Sequence, residues 1–513
     1  MIDLAARRPL VPAVRTVGLV AVAAVVLAVL SSSGSAETAG DAPPEWPTAV
    51  PSGTGDHWVD PASAGHPWGD AVDGILTFRG NPTRTFYGTG PLPTDPVRQW
   101  RYPDAAMCTE SEVEQGDHSG TFNWCGTGWT GQPSVFERDG RTWVVFGAYD
   151  RGIHFVDAAD GSDIIPTFFT GDIIKGSVTV DPDGFPLVYS GSRDNLMHIV
   201  AFDGDEPREL WTFDAASVDG LWNDDWDASP LVIDDHMFQV GENSWWFVWK
   251  LNRGYDTEGR VTVDPELVFQ ARGWDDELLD DLGDEQVSIE SSIAISGDTA
   301  YFANSGGLVQ GWDISGLRDG EDPERVFRFW TGDDTDATVV IDDEGFLYVA
   351  SQHERFNDRA AEVGQIMKLD PSRPDDPLVW SVHDPDGKGV WATPAIHRDV
   401  LIVPTDGGRI LAIDRATGEV RWDMFLRGPT WQSPVVVDDV LVQGDCRGGV
   451  LRGFDVSDTT VVPPQLWSVE LGGCIESTPA AWNGQIFVGT RGGFVHAVGQ
   501  REDEPLVSLP GGD

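Results

Sequence analysis

Basic residues are scarce in this chain. Lys and Arg number 34 against 84 Asp and Glu, a formal charge of −50 over 513 residues. A surface of that sign repels phosphate backbones and anionic headgroups, which excludes nucleic-acid binding. Cysteine is scarce too: there are four, with no adjacent Cys-Cys pair and no C-x-x-C spacing. That removes the usual zinc-ligand pattern and the haem-attachment motif. There is no Walker loop and no G-x-S-x-G elbow, and the zinc-protease-like start at His353-Glu354 lacks its second His. Gly126-Thr-Gly-Trp-Thr-Gly131 fits G-x-G-x-x-G but leads into a strand pattern rather than joining a strand to a helix, so a dinucleotide reading fails on context. The acidic stretches Asp181–Gly184, Asp342–Gly345 and Asp384–Gly387 are too short for an EF-hand loop and read as hairpin turns. No apolar run beyond residue 36 is long enough to span a bilayer.

Short strand signals fill the chain instead. Within Gly389–Trp422, four short strands fall at Ala395–His397, Val400–Pro404, Arg409–Asp414 and Val420–Trp422, separated by Gly- and Asp-bearing turns. Four antiparallel strands in one unit make a propeller blade, which cannot bury both faces without neighbours. Aligning on Pro394 finds equivalents at Pro133, Val178, Pro230, Ile293, Val339, Pro434 and Pro479, in steps of 45, 52, 63, 46, 55, 40 and 45 residues. These are eight units. After Pro479 the chain holds only three strands, and Val97–Trp100 matches the missing outer strand, so an N-terminal strand is expected to close the last blade and remove the ring's open edges. The expected class is all-β, a single eight-bladed β-propeller over residues 75–499. The 22 Trp residues suit wedges between sheets.

The run Ile413-Asp-Arg-Ala-Thr-Gly-Glu-Val-Arg-Trp422 resembles the repeat of pyrroloquinoline-quinone (PQQ) dehydrogenases, which are eight-bladed quinoprotein propellers. The outer-strand Trp recurs at Trp100, Trp211, Trp380, Trp422 and Trp467, and Phe78–Gly88 looks like the lead-in of secreted bacterial PQQ-like repeat proteins. The resemblance covers roughly residues 75–499 and speaks to fold more than to activity.

The ends of the chain suggest export. Arg7, Arg8 and Arg15 precede an apolar run at Val17–Leu30 and the small residues Ser31–Ala36, so residues 1–36 read as a signal peptide or an uncleaved membrane anchor. Residues 37–74 read as a disordered linker rich in Pro, Gly and Ser, and 500–513 as a tail. The expected placement is extracellular or in the cell envelope. Four Cys in an exported protein suggest two disulfides. Cys446 and Cys474 fall at ends of adjacent blades on one face of the ring, leaving Cys108 and Cys125 to pair within the loop at 101–129.

One constellation points to a site. The residues three before each aligned position are Thr130, Lys175, Asp227, Glu290, Asp336, Trp391, Trp431 and Glu476. Each precedes an innermost strand, so all should ring one mouth of the central channel. Clustered carboxylates hold calcium, Trp faces stack planar ligands, and ligands favour concave sites with a few convergent polar groups. The loops at 101–129, 241–244 and 352–364 should overhang that mouth. The quinoprotein resemblance implies a quinone walled by a Cys-Cys disulfide, absent here, and by a Trp, for which Trp391 or Trp431 could serve. It implies calcium held by acidic and amide side chains, for which Asp227, Glu290 and Asp336 are the positional candidates. Relatives without adjacent cysteines include binding and assembly modules. The leading expectation is therefore a monomeric ligand- or protein-binding scaffold of the envelope, with a small molecule or an envelope protein as partner. A PQQ- and calcium-dependent dehydrogenase of alcohols or sugars is the alternative.

Overall fold

The computed structural model describes residues 57–113 and 119–502. The expected signal or anchor segment and the first part of the expected linker lie outside these residues. Among the described residues, no helix is long and apolar enough to cross a membrane.

Eight antiparallel sheets form the propeller. Their innermost strands begin at Ser134, Thr179, Leu231, Ala294, Val340, Ala395, Val435 and Ala480, each one residue after an aligned repeat position. Blade 1 carries an additional inner strand, Gly74–Ile75, paired with Ser134–Arg138. Blade 8 takes its outer strand from Pro96–Tyr102, which pairs antiparallel with Phe494–Gln500. Strands of the two middle ranks are mostly buried, and Val400–Pro404 and Ile366–Leu369 are buried throughout. They read as continuous apolar runs because a neighbouring sheet covers each face. The outer strands keep one wet face and alternate, as in Val420–Phe425.

Tryptophans lock the outer strands. Trp380 of blade 5 donates its indole N–H to the Arg415 carbonyl of blade 6 at 3.0 Å, and Trp100 of blade 8 donates to Ala158 of blade 1 at 2.9 Å. Each ring lies on a turn glycine, Gly418 or Gly161, where an added Cβ would come within 2.8 or 2.9 Å of indole atoms. Both glycines have φ of +76°, which L side chains rarely adopt.

A belt of hydroxyls ties the inner ends together. Backbone N–H groups of Gln132, Ser229, Ser292, Thr338 and Thr393 donate to the hydroxyls of Ser177, Ser292, Thr338, Thr393 and Ser433, each one blade further on, at 2.9–3.0 Å. All belong to the position just before the aligned one, and all are buried.

The lead-in at 73–89 fills the channel beneath that belt. Its backbone bonds reach Glu137, Val180, Ile295, Ile341 and Ala481, while the Tyr87 hydroxyl accepts from the Ile396 N–H at 2.8 Å. Arg79 donates to the Pro394 and Pro434 carbonyls, and Arg84 to those of Ile293, Phe78 and Ser229. The segment thus touches every blade. Both guanidiniums are fully buried, and burial lowers the pKa of Arg84 to about 9.

Residues 57–74 correct the linker expectation. Trp58 and Trp68 are buried, the Trp58 indole donates to the Ile314 carbonyl at 2.7 Å, and Val59 bridges Gly297. Isolated aromatic anchors in a Pro/Gly-rich stretch show no periodicity, so the sequence pattern hid this packing. Both disulfides form as paired above, Cys108–Cys125 and Cys446–Cys474.

Candidate functional site

Between an outer strand and the next inner strand, the chain crosses from the rim to the centre of the ring. The side chain three residues before the aligned position lands at the channel mouth, above the hydroxyl belt. Lys175, Asp227, Glu290, Asp336, Trp391, Trp431 and Glu476 all line one cavity of about 1040 Å³. Thr130 does not. It is buried below and hydrogen-bonds Ser177 at 2.9 Å, and its neighbour Trp129 takes the lining place in blade 1. The overhanging loops add Trp124, Gln352, His353, Glu354, Arg355 and Asn357, whereas Arg359 turns away to Glu362. Glu242, from the 241–244 loop, is fully buried behind the lining.

Blades 2 to 5 supply a carboxylate wall. The Lys175 ammonium lies 2.6 Å from Asp227 and 2.7 Å from Glu242, with Asp225 at 3.6 Å. Arg193 pairs with Asp225 at 3.0 Å, and Asn223 donates to Glu242 at 3.1 Å. Desolvation works against the charge of Lys175, but Asp227, Glu242 and Asp225 outweigh it and raise its pKa. Desolvation likewise opposes Glu242, yet Lys175 and the hydrogen bonds hold its pKa below the ordinary value. Among the described residues, Glu290 has no cation at contact distance. It accepts from the Ser288 hydroxyl at 3.2 Å, and burial, then Asp336 and Glu242, push its pKa well up. The Asp334 and Asp336 carboxyls act on each other at short range, and each disfavours the other's charge. Gln352 donates to Asp336 at 2.7 Å. Burial raises both carboxyls.

Blades 6, 7 and 1 supply an aromatic wall. Trp129 and Trp391 stack with centroids 5.2 Å apart and planes 14° from parallel, and Trp431 meets Trp391 edge-on at 5.7 Å. The indole N–H groups of Trp129 and Trp391 have no acceptor among the described residues. Asp406, which accepts from the Trp391 backbone N–H, is pushed by burial to a pKa of about 7. In blade 8, Arg491 pairs with Glu476 at 3.1 Å and lies between the Trp124 and Tyr149 rings, 5.1 and 4.8 Å from their centroids.

Residues 362–502 match the family described as outer membrane protein assembly factor BamB. That stretch carries a PQQ-like repeat, and the chain folds as an eight-bladed propeller. Among solved structures, a quinohemoprotein alcohol dehydrogenase from Comamonas testosteroni is similar at 13% identity and TM-score 0.57, over 85% of this chain and 82% of that one. The computationally designed Ika8 protein is similar at 12% identity and TM-score 0.51, over 72% and 98%. BamB from Moraxella catarrhalis aligns at 16% identity and TM-score 0.49, over 73% and 95%. These likenesses speak to the fold alone. No curated protein matches in sequence.

The quinoprotein expectation can be tested on this PQQ-like propeller's own residues. Oxygens of Asp227, Glu242 and Glu290 lie within 4.8 Å of one another, a spacing that suits a cation. Lys175 already supplies one, within hydrogen-bond distance of two of the three. Calcium there would face an ammonium at short range, so the donor set does not fit it. A quinone ring inserted between two walls needs about 7 Å, twice the van der Waals contact distance. Trp129 and Trp391 are closed on each other, and the lining carries eight carboxylates (Asp227, Asp284, Glu290, Asp334, Asp336, Glu354, Asp406, Glu476) against five cations (Lys175, Arg193, Arg355, Lys388, Arg491). A tricarboxylate quinone does not suit that balance.

Proposed function

We propose that this PQQ-like propeller is an exported binding module whose central cavity receives a small molecule. The observation that carries the reading is the convergence of side chains from all eight blades, with loops above them, on one cavity of about 1040 Å³. Concave sites of about this size, where aromatic and polar side chains converge, are where proteins hold small ligands. The rigid belt of hydroxyls below and the lead-in that fills the channel make it a cup rather than a pore. Export is supported by the residue pattern of 1–36 and by two disulfides, which suit an oxidising compartment. The dehydrogenase alternative is disfavoured by Lys175 in the carboxylate set and by the closed Trp129–Trp391 stack.

The test is to incubate purified protein with PQQ and calcium, desalt it, and record visible absorbance and dye reduction with alcohols and glucose. The binding-module reading expects no retained quinone band and no dye reduction. A stoichiometric quinone that reduces dye would overturn it.

A further inference from the structure

The cavity is divided by chemistry. On one side Glu290 and Asp336 accept from Ser288 and Gln352, and among the described residues no cation lies at salt-bridge distance of Glu290, Asp334 or Asp336, with Lys175 and Arg355 acting on Glu290 and Asp334 only from further off. On the other side, Trp129, Trp391 and Trp431 present indoles. Trp129 is 3% exposed, and its N–H has no acceptor among the described residues. A buried donor without a partner is costly. Burial keeps these carboxyls protonated in the empty cavity, and an arriving ammonium would release those protons to solvent and form charge-assisted hydrogen bonds, which are about twice as strong as neutral ones. Indole faces take both cations and the apolar faces of ring-shaped ligands.

The geometry points to an amino-sugar-type ligand: a hydroxyl-rich ring that stacks on the indole wall and sets a protonated amine against Glu290, Asp334 and Asp336. This rests on the reading of the cavity as a binding site. Lys175 has a separate role, because its own ammonium is saturated by Asp227 and Glu242. It shields those two carboxylates and leaves the Glu290 side of the wall for the ligand. The surplus on that side is what distinguishes an amine from its neutral analogue. A glucose-like ring would find the same indoles but gain nothing from the carboxylates.

The experiment compares three probes that differ at one substituent. Tryptophan fluorescence and calorimetry follow the binding of glucosamine, N-acetylglucosamine and glucose, and of their short oligomers, at a pH where the amine is protonated. Glucosamine oligomers should bind about tenfold or more tightly than the acetylated and neutral series. Asp336→Asn combined with Glu290→Gln should erase that difference. Asn keeps an oxygen for Gln352, and thermal melting checks that the fold is kept. Trp391→Ala should weaken all the sugars. Equal binding of all three series would overturn the amine assignment and leave the cavity as a site. No binding of any glucosamine probe to the folded wild-type protein would also overturn it. A retained, dye-reducing quinone would instead overturn the functional reading beneath it.

Discussion

The Lys175 ammonium sits 2.6 Å from Oδ2 of Asp227 in the next blade, and the same nitrogen reaches Glu242. One side chain from the neighbouring blade thereby offsets the mutual repulsion of Asp225, Asp227 and Glu242. Removing one partner of a buried ionic cluster costs more than the pair contributes, because the remaining charges keep their desolvation penalty. Lys175→Met should therefore lower stability by about 3–5 kcal/mol in urea unfolding. A loss under 1 kcal/mol would show that the cluster is well hydrated.

Burial, the largest cause, raises the pKa of Glu290, Asp334 and Asp336, and also carries Asp225 and Asp406 to about 7. A carboxyl whose folded pKa is raised stabilises the fold below its unfolded pKa, and that stability is lost as pH rises through the folded value. The melting temperature should fall between pH 5 and pH 8. Glu242, shifted the other way, acts only below that window. His198 is raised by Asp194 and Glu209 against desolvation and adds to the loss, while desolvation lowers His236, His397 and His496, which oppose it. Subtracting the profile of the Asp336→Asn, Glu290→Gln double variant isolates the cavity. An identical slope in wild type and double variant would refute the assignment.

The hydroxyl belt makes a separate prediction. Thr393→Val keeps the shape but strips the acceptor for the Thr338 N–H. A buried donor left unpaired costs about 1–3 kcal/mol. Thr393→Ser keeps the oxygen and should cost less. Chemical denaturation of the two variants checks the order.

The eightfold pitch was legible because each blade repeats one requirement, an apolar inner strand at a fixed place, and Pro394 and its equivalents mark that place. The common lining of the cavity was legible to the same extent. A side chain three residues before a strand that starts at the axis has nowhere to go but the mouth, and so Lys175 through Glu476 came together. The slip at Thr130 follows from the irregular Gly126–Gly131 loop, which moves Trp129 into the lining position. Asp334 and Asp406 were missed because they lie off the common register, Asp334 two residues before Asp336 and Asp406 in a turn. The Ser/Thr residues just before the aligned positions were a readable signal of the belt. Trp58 and Trp68 gave none, since lone anchors carry no period.

At the rim, Gly418 lies under the Trp380 ring, where an added Cβ would come within 2.8 Å. Gly418→Ala adds that clash to a left-handed φ and should cost more than the usual Gly-to-Ala penalty at such a site, about 1 kcal/mol. Thermal melting reads it. A neutral result would mean the indole shifts freely and does not lock blade 5 to blade 6.

The most direct test of the cavity is crystallographic. Crystals soaked in a glucosamine oligomer, and others in PQQ with calcium, give two difference maps of the same mouth. The account predicts sugar density against Trp391 with its amine facing Asp336 and Glu290, and nothing from the quinone soak. Quinone density between parted Trp129 and Trp391 rings, with calcium on Asp227 and Glu290, would contradict it.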